Sequence, residues 1–377
     1  MDSALNRKIF AREAVNSGRQ DEMDLARFVV MFCMPIVHCI IECMPAEALV
    51  SGIPYLFDTI IGGPFTAPLF MFVMGIGTVY SRHKSPDRLA VRGLKFLLIS
   101  FVLNICRYLI PFFVGYQLTG DYEHFREPLL YLVLENDIML FAGLSLLVIA
   151  LLIRLRVPDA AAFAVSLALS LLGTSLTGTD AGSPLANIFL GYLIGTEDAA
   201  GLVHSYFPLL NWLLIPVCGH IFGKYLIRVK NKPLFYRLVS PVCLLITVIY
   251  FCFGISRGLG MFGEGENCYY HLSTMDAAAS LCAAVGVLGP YYLLAPLLPK
   301  RAADVVREGS RNINAFYCIH WILLAWIIDL GFYISRGTQQ LGLMETVLLG
   351  MSFSVVSLVL AHFRSLFRNG RAAGGKG

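Results

Sequence analysis

Residues 27–39, RFVVMFCMPIVHC, set an arginine and a histidine at the two ends of a run whose ten intervening residues carry no polar side chain. A helix packed on a soluble core shows water a polar residue every third or fourth position, and this one does not. The stretch reads as part of a membrane-crossing helix with two polar groups placed in it. Eleven residues at 100° each end only about 20° past three turns, so Arg27 and His38 share a helix face about 16 Å apart. Pro35, one turn before the histidine, removes a backbone hydrogen bond and is expected to kink the helix.

The rest of the chain agrees. Of its 377 residues 57% are hydrophobic and 14% charged, with mean hydropathy +0.70. A soluble domain carries about 25% charged residues. Ten stretches are long enough to cross about 30 Å of hydrocarbon: 25–45, 59–81, 91–112, 131–153, 158–176, 205–227, 238–255, 275–298, 312–334 and 343–364. The fold class is all-α, a polytopic membrane protein with about ten transmembrane helices.

Loop charge orients it, because Lys and Arg concentrate on the cytoplasmic side. With the N-terminus inside, the inner segments hold 22 of the 29 basic residues and the outer loops only Arg126, Arg257 and Arg336. Both termini are expected in the cytoplasm: residues 1–24 a tail, 25–366 one membrane domain, 367–377 a flexible basic tail. The net charge of +4 therefore reports topology and not nucleic-acid affinity. No cleavable targeting peptide is evident. The apolar piece at 184–194 is too short to cross and is expected in the interface or dipping into the protein. Nine of the ten cysteines lie in spans and read as buried thiols; Cys268, in an outer loop, could pair with Cys43. Gly258, Gly260 and Gly263 spell GxGxxG, but after a membrane span and without a preceding strand, so they carry no nucleotide reading. Metal-ligand spacing is absent.

Several polar groups fall within the spans, where ionisable residues usually face a cavity. His38 lies about seven residues below the outer end of the first span. Glu135, Asn136 and Asp137, in ENDIM, enter the fourth at similar depth. Asp137 needs a partner there: His38, Arg107, a solvated vestibule, or its own helix end as a cap. On the ninth span, in RNINAFYCIHW, Asn314, Tyr317 and His320 recur at three-residue spacing and form a polar stripe. Arg82, Lys84, Arg88, Arg92 and Lys95 cluster at the cytoplasmic start of the third, which suits a polyphosphate.

Together these residues resemble the transmembrane acyltransferase superfamily, comprising the acyltransferase-3 proteins and the heparan-α-glucosaminide N-acetyltransferase-like group. The resemblance is carried by the arginine, ten residues, histidine pattern at Arg27 and His38, and by FTAPLFMFVMGIG, DIMLFAGL from Asp137, FPLLNW at 207–212 and GSRNINAFYCIH ending at His320. There are departures. The family's arginine pair before the third helix stands here as Arg92 and Lys95, Met74 and Gly75 replace a Ser-Gly pair, and Leu140 stands where the heparan-type group carries glutamine. The resemblance implies transfer of an acyl group, with acetyl expected, from cytoplasmic acyl-CoA to a hydroxyl or amine of an extracytoplasmic or lipid-linked sugar. It implies donor binding by Arg27, Arg92 and Lys95, with Asn314, Tyr317 and His320 lining the donor site. His38 would be the base and Asp137 its orienting group, by direct transfer or through an acyl-histidine. The missing N-x-[ST] sequon favours a bacterial plasma membrane. The rival from another class is a transporter or flippase, which would show broken helices in matching halves.

Overall fold

Hydrocarbon offers no water to backbone N–H and C=O groups, so each crossing segment must satisfy them internally, as a helix does. The computed structural model describes residues 4–50, 52–81, 84–199, 201, 203–263 and 267–374. Arg82 of the basic cluster and the last three residues of the C-terminal tail lie outside these. Among the described residues, ten helical segments are long and apolar enough to cross a membrane: α1 Asp21–Cys43, α2 Gly52–Tyr80, α3 Pro86–Thr119, α4 Tyr122–Arg154, α5 Asp159–Leu176, α6 Leu209–Leu226, α7 Lys232–Arg257, α8 Thr274–Leu297, α9 Ile313–Arg336 and α10 Leu343–Phe367. The α10 helix continues to Gly374. Among the described residues β-structure is limited to three isolated bridges.

The spans divide between two compact units. The first comprises residues 1–20, 67–104 and 130–290. Its helix pairs meet through small residues, which let backbones approach closely where no hydrophobic force drives helices together in lipid. A Cβ on Gly75 of α2 would lie 2.1 Å from the Pro216 carbonyl oxygen of α6, and one on Gly219 2.2 Å from that of Phe72. Gly93 of α3 and Gly143 of α4 make the second such crossing, where a Cβ on either would lie 2.8–2.9 Å from the other's carbonyl oxygen. Gly75, where the family often shows the second residue of a Ser-Gly pair, is thus a packing glycine here. The N-terminal segment belongs to this unit. Its Ala11, Val15 and Asn16 amides donate to the Arg228 and Ile227 carbonyls, and the Asn16 side chain to that of Leu226. These are the carbonyls a helix end leaves unmet, so residues 11–16 cap the C-terminus of α6.

The fourth span is not continuous. Residues 135–137 leave the helical path, with Glu135, Asn136 and Asp137 buried. Asn104 donates to the Val133 and Glu135 carbonyls at 3.0 Å, and Tyr192 to that of Leu134 at 2.5 Å. The expected short apolar piece is a helix, Pro184–Gly191, capped by Ser183. Gly258 and Gly260 are turn residues with φ of +58°, and a Cβ on Gly260 would meet Asp276 Oδ1 at 2.4 Å. The dismissed GxGxxG is the turn after α7.

The second unit comprises residues 21–66, 105–129 and 291–377. The α1 helix begins with Asp21, Glu22 and Asp24, acids at the end where the helix dipole favours negative charge. Ser310 donates to Asp24 at 2.6 Å, and Arg307 pairs with Asp21 at 3.3 Å. α1 stays helical through Pro35 and packs there on α10. A Cβ on Gly350 would lie 2.6 Å from Ile36 Cα. Pro35 has no N–H for the Met31 carbonyl one turn back, and at the next residue Ser354 of α10 donates to the Phe32 carbonyl at 2.8 Å. Cys43 and Cys268 are not bonded: all ten cysteines are free thiols.

Candidate functional site

His38 lies three residues past Pro35 on α1, and its imidazole packs against α9 of the same unit. The His38 and His320 rings stack with centroids 5.6 Å apart and planes 17° from parallel. Trp321 comes closer, 4.2 Å from His38 at 45°. Tyr317, one turn before, approaches His320 at 5.3 Å. His38 is half-buried, His320 fully buried.

The two imidazoles are held differently. His320 Nδ1 lies 3.3 Å from the Phe316 carbonyl one turn back, so Nδ1 carries the proton that donates there. That leaves Nε2 as a lone pair, buried and with no partner among the described residues. Trp321 Nε1–H is likewise buried and unpartnered. Neither ring nitrogen of His38 is hydrogen-bonded within the described residues. Buried polar groups are normally paired, so an unpaired acceptor and an unpaired donor on adjacent residues beside a free imidazole mark a place for a polar ligand.

A cation stands next to them. The Arg107 guanidinium, 2% exposed, lies 4.8 Å over the Trp321 ring and 4.6 Å over that of Tyr108. Arg107 occupies a π-helical stretch, Ile105–Leu109, and α9 widens to a π-helix over Ala325–Phe332, a distortion often found at functional sites. Asp329, in the second stretch, bears electrostatically on Glu42 and Arg107. Glu42 lies one turn beyond His38 on α1.

The other expected residues are placed less centrally. Arg27 pairs with Asp24 at 3.8 Å and is partly exposed. Asn314 is half-buried on α9. Arg92 lies 5.3 Å over the Phe96 ring and Lys95 is exposed, both in the first unit. Asp137, also in the first unit, caps the helical part of α4. Its Oδ1 accepts from the Met139 and Leu140 amides at 2.9 and 3.0 Å and from Ser100 at 2.7 Å. Asp137 is therefore the N-cap of that helix, one of the partners its position in the sequence offered.

Trp321, Arg107 and the Glu42–Asp329 pair were not picked out as site residues from the sequence. Trp321 follows His320 directly, and an arginine inside an apolar span is by itself a functional signal. For Asp329 the signal is hidden, since the π-helix changes which residues share a face. Among the described residues no group of three His, Cys, Asp or Glu side chains could hold a metal ion.

One family model, described as an acyltransferase domain, matches residues 20–362. No curated protein and no solved structure matches the chain.

Proposed function

The chain belongs to the acyltransferase-3 family and is a membrane acyltransferase, and from that premise we propose that the α1–α9 imidazole pair transfers an acetyl group from acyl-CoA to a sugar. The observation that carries this is the stacked His38 and His320 with unpaired ring nitrogens beside them. Such a site has an imidazole free to move a proton and a fixed lone pair to accept from a substrate N–H or O–H.

In this reading the acceptor oxygen or nitrogen bonds to the thioester carbon at His38. The carbon–sulfur bond breaks, and the acceptor's proton passes to His38 and then to the departing sulfur. His320 Nε2 accepts from the donor's amide arm, with Tyr317 and Asn314 on the same helix beside it. Arg27, at the basic, cytoplasmic start of α1, holds a CoA phosphate. Ten crossings return both termini to one face, and the basic-loop bias makes that face cytoplasmic. The acceptor then reaches the site from outside as a small or lipid-linked sugar, and the membrane is a bacterial plasma membrane.

Purified protein given acetyl-labelled acetyl-CoA and an extract of lipid-linked and soluble sugars tests the reading. Release of free CoA with the label moved to a sugar is the expected result. Movement of a sugar across a vesicle membrane with no thioester cleavage would instead establish the transporter reading.

A further inference from the structure

Trp321 adds something that the acyl-transfer reading does not require. Its indole N–H is buried and meets no acceptor among the described residues, a state proteins seldom leave uncompensated. The same ring touches His38, at 4.2 Å between centroids, and bears the Arg107 guanidinium at 4.8 Å. The donor is thus held next to the imidazole at the reacting centre. A buried cation, which keeps its charge at any working pH, rests on the same ring. Arg107 also lies close enough to both imidazoles to act on them electrostatically.

We propose that Trp321 Nε1–H is the oxyanion donor of this site, with Arg107 supplying the fixed positive charge on the same ring. The inference rests on the acyl-transfer reading and names the partner of the thioester carbonyl within it. As the acceptor atom bonds to the acyl carbon, the carbonyl electron pair moves onto its oxygen. It returns when the carbon–sulfur bond breaks and the sulfur leaves with the proton relayed by His38. A donor aimed at that oxygen binds it more strongly in the tetrahedral state than in the thioester, so it speeds the reaction without tightening substrate binding.

The test is Trp321→Phe in the full chain in lipid nanodiscs, which keeps an aromatic ring for His38 and Arg107 and removes the N–H. Turnover at saturating acetyl-CoA should fall about 10²–10³-fold, the usual loss for one oxyanion donor. The half-saturating concentration should move by less than about threefold. Affinity for a CoA trifluoromethyl ketone, whose hydrate carries the tetrahedral oxyanion, should fall by the same factor as turnover. That for a CoA thioether, which lacks the carbonyl, should hold. Turnover within about fivefold of the unaltered protein, or thioether binding lost in parallel, overturns the inference. If the variant does not fold, the unaltered chain still decides. It has three tryptophans, so with nitrogen-15 tryptophan the ketone must move one indole proton downfield and the thioether must not. An unmoved spectrum overturns the inference. No CoA release by the unaltered protein overturns the acyl-transfer reading and this inference with it.

Discussion

Gly350→Ala should slow the enzyme although the residue touches no part of the imidazole site. The added methyl would stand 2.6 Å from Ile36 Cα and 3.1 Å from both Ile36 N and the Pro35 carbonyl oxygen, where 3.4 Å is ordinary contact. All three are backbone atoms, so no side chain can swing aside. α1 and α10 must part by about 0.8 Å, and forcing extra volume into a packed contact costs about 1–3 kcal/mol. The displaced segment lies two residues before His38, whose ring sits 4.2 Å from Trp321 and 5.6 Å from His320. Misplacing a reacting group by about 1 Å can cost about 10²-fold, so a 10- to 10²-fold fall in turnover is expected. The parting would also strain the Ser354 hydrogen bond to the Phe32 carbonyl. Initial rates of CoA release at saturating acetyl-CoA give the first quantity, and thermal unfolding in the same detergent the second. A variant with turnover within twofold of the parent and an unshifted transition would refute the argument that this crossing holds His38 in place.

Three further outcomes follow from particular contacts. His38→Ala should lower acyl transfer at least about 10²-fold, the usual loss of a general base, with membrane insertion intact; more than about a tenth of activity remaining would remove His38 from the proposal. Asp137→Ala should cost about 0.5–2 kcal/mol of unfolding stability, whereas Asp137→Asn, which can still cap, should cost little; wild-type turnover in Asp137→Asn would confirm that capping is its whole part. His271 is buried in the loop before α8, its Nε2 2.6 Å from the Ser205 hydroxyl, and burial holds it below its usual value of 6.5. The folded state therefore binds fewer protons than the unfolded, so this contribution is intact above about pH 6.5 and fades as the pH falls. His271→Gln should flatten the stability-against-pH curve in that range, and an unchanged curve would show that another group sets it.

Much of the architecture was legible because the bilayer makes one-dimensional demands. Each span needs about 20 apolar residues and each inner loop its basic ones, and both are counted along the chain. All ten segments recur near their expected positions, the fifth included, as Asp159–Leu176. The Arg27 and His38 spacing and the His320 stripe were readable for the same reason, since a single helix keeps its own register. What periodicity could not carry was any departure from a regular helix. The break at residues 135–137 holds only because Asn104 and Tyr192, distant in sequence, meet the carbonyls it frees. The widened turns at Arg107 and Asp329 change which side chains share a face.

The sequence by itself determined the class of protein, the number of its helices and the family pattern on the first. Tertiary packing alone decided which imidazole faces His38, that Arg107 rests on Trp321, and that residues 11–16 cap the end of α6. The physical reason is that hydrophobicity and register are properties of a segment. An unpaired N–H, a stacked guanidinium and a capped terminus exist only once separate segments have been brought within a few ångströms of each other.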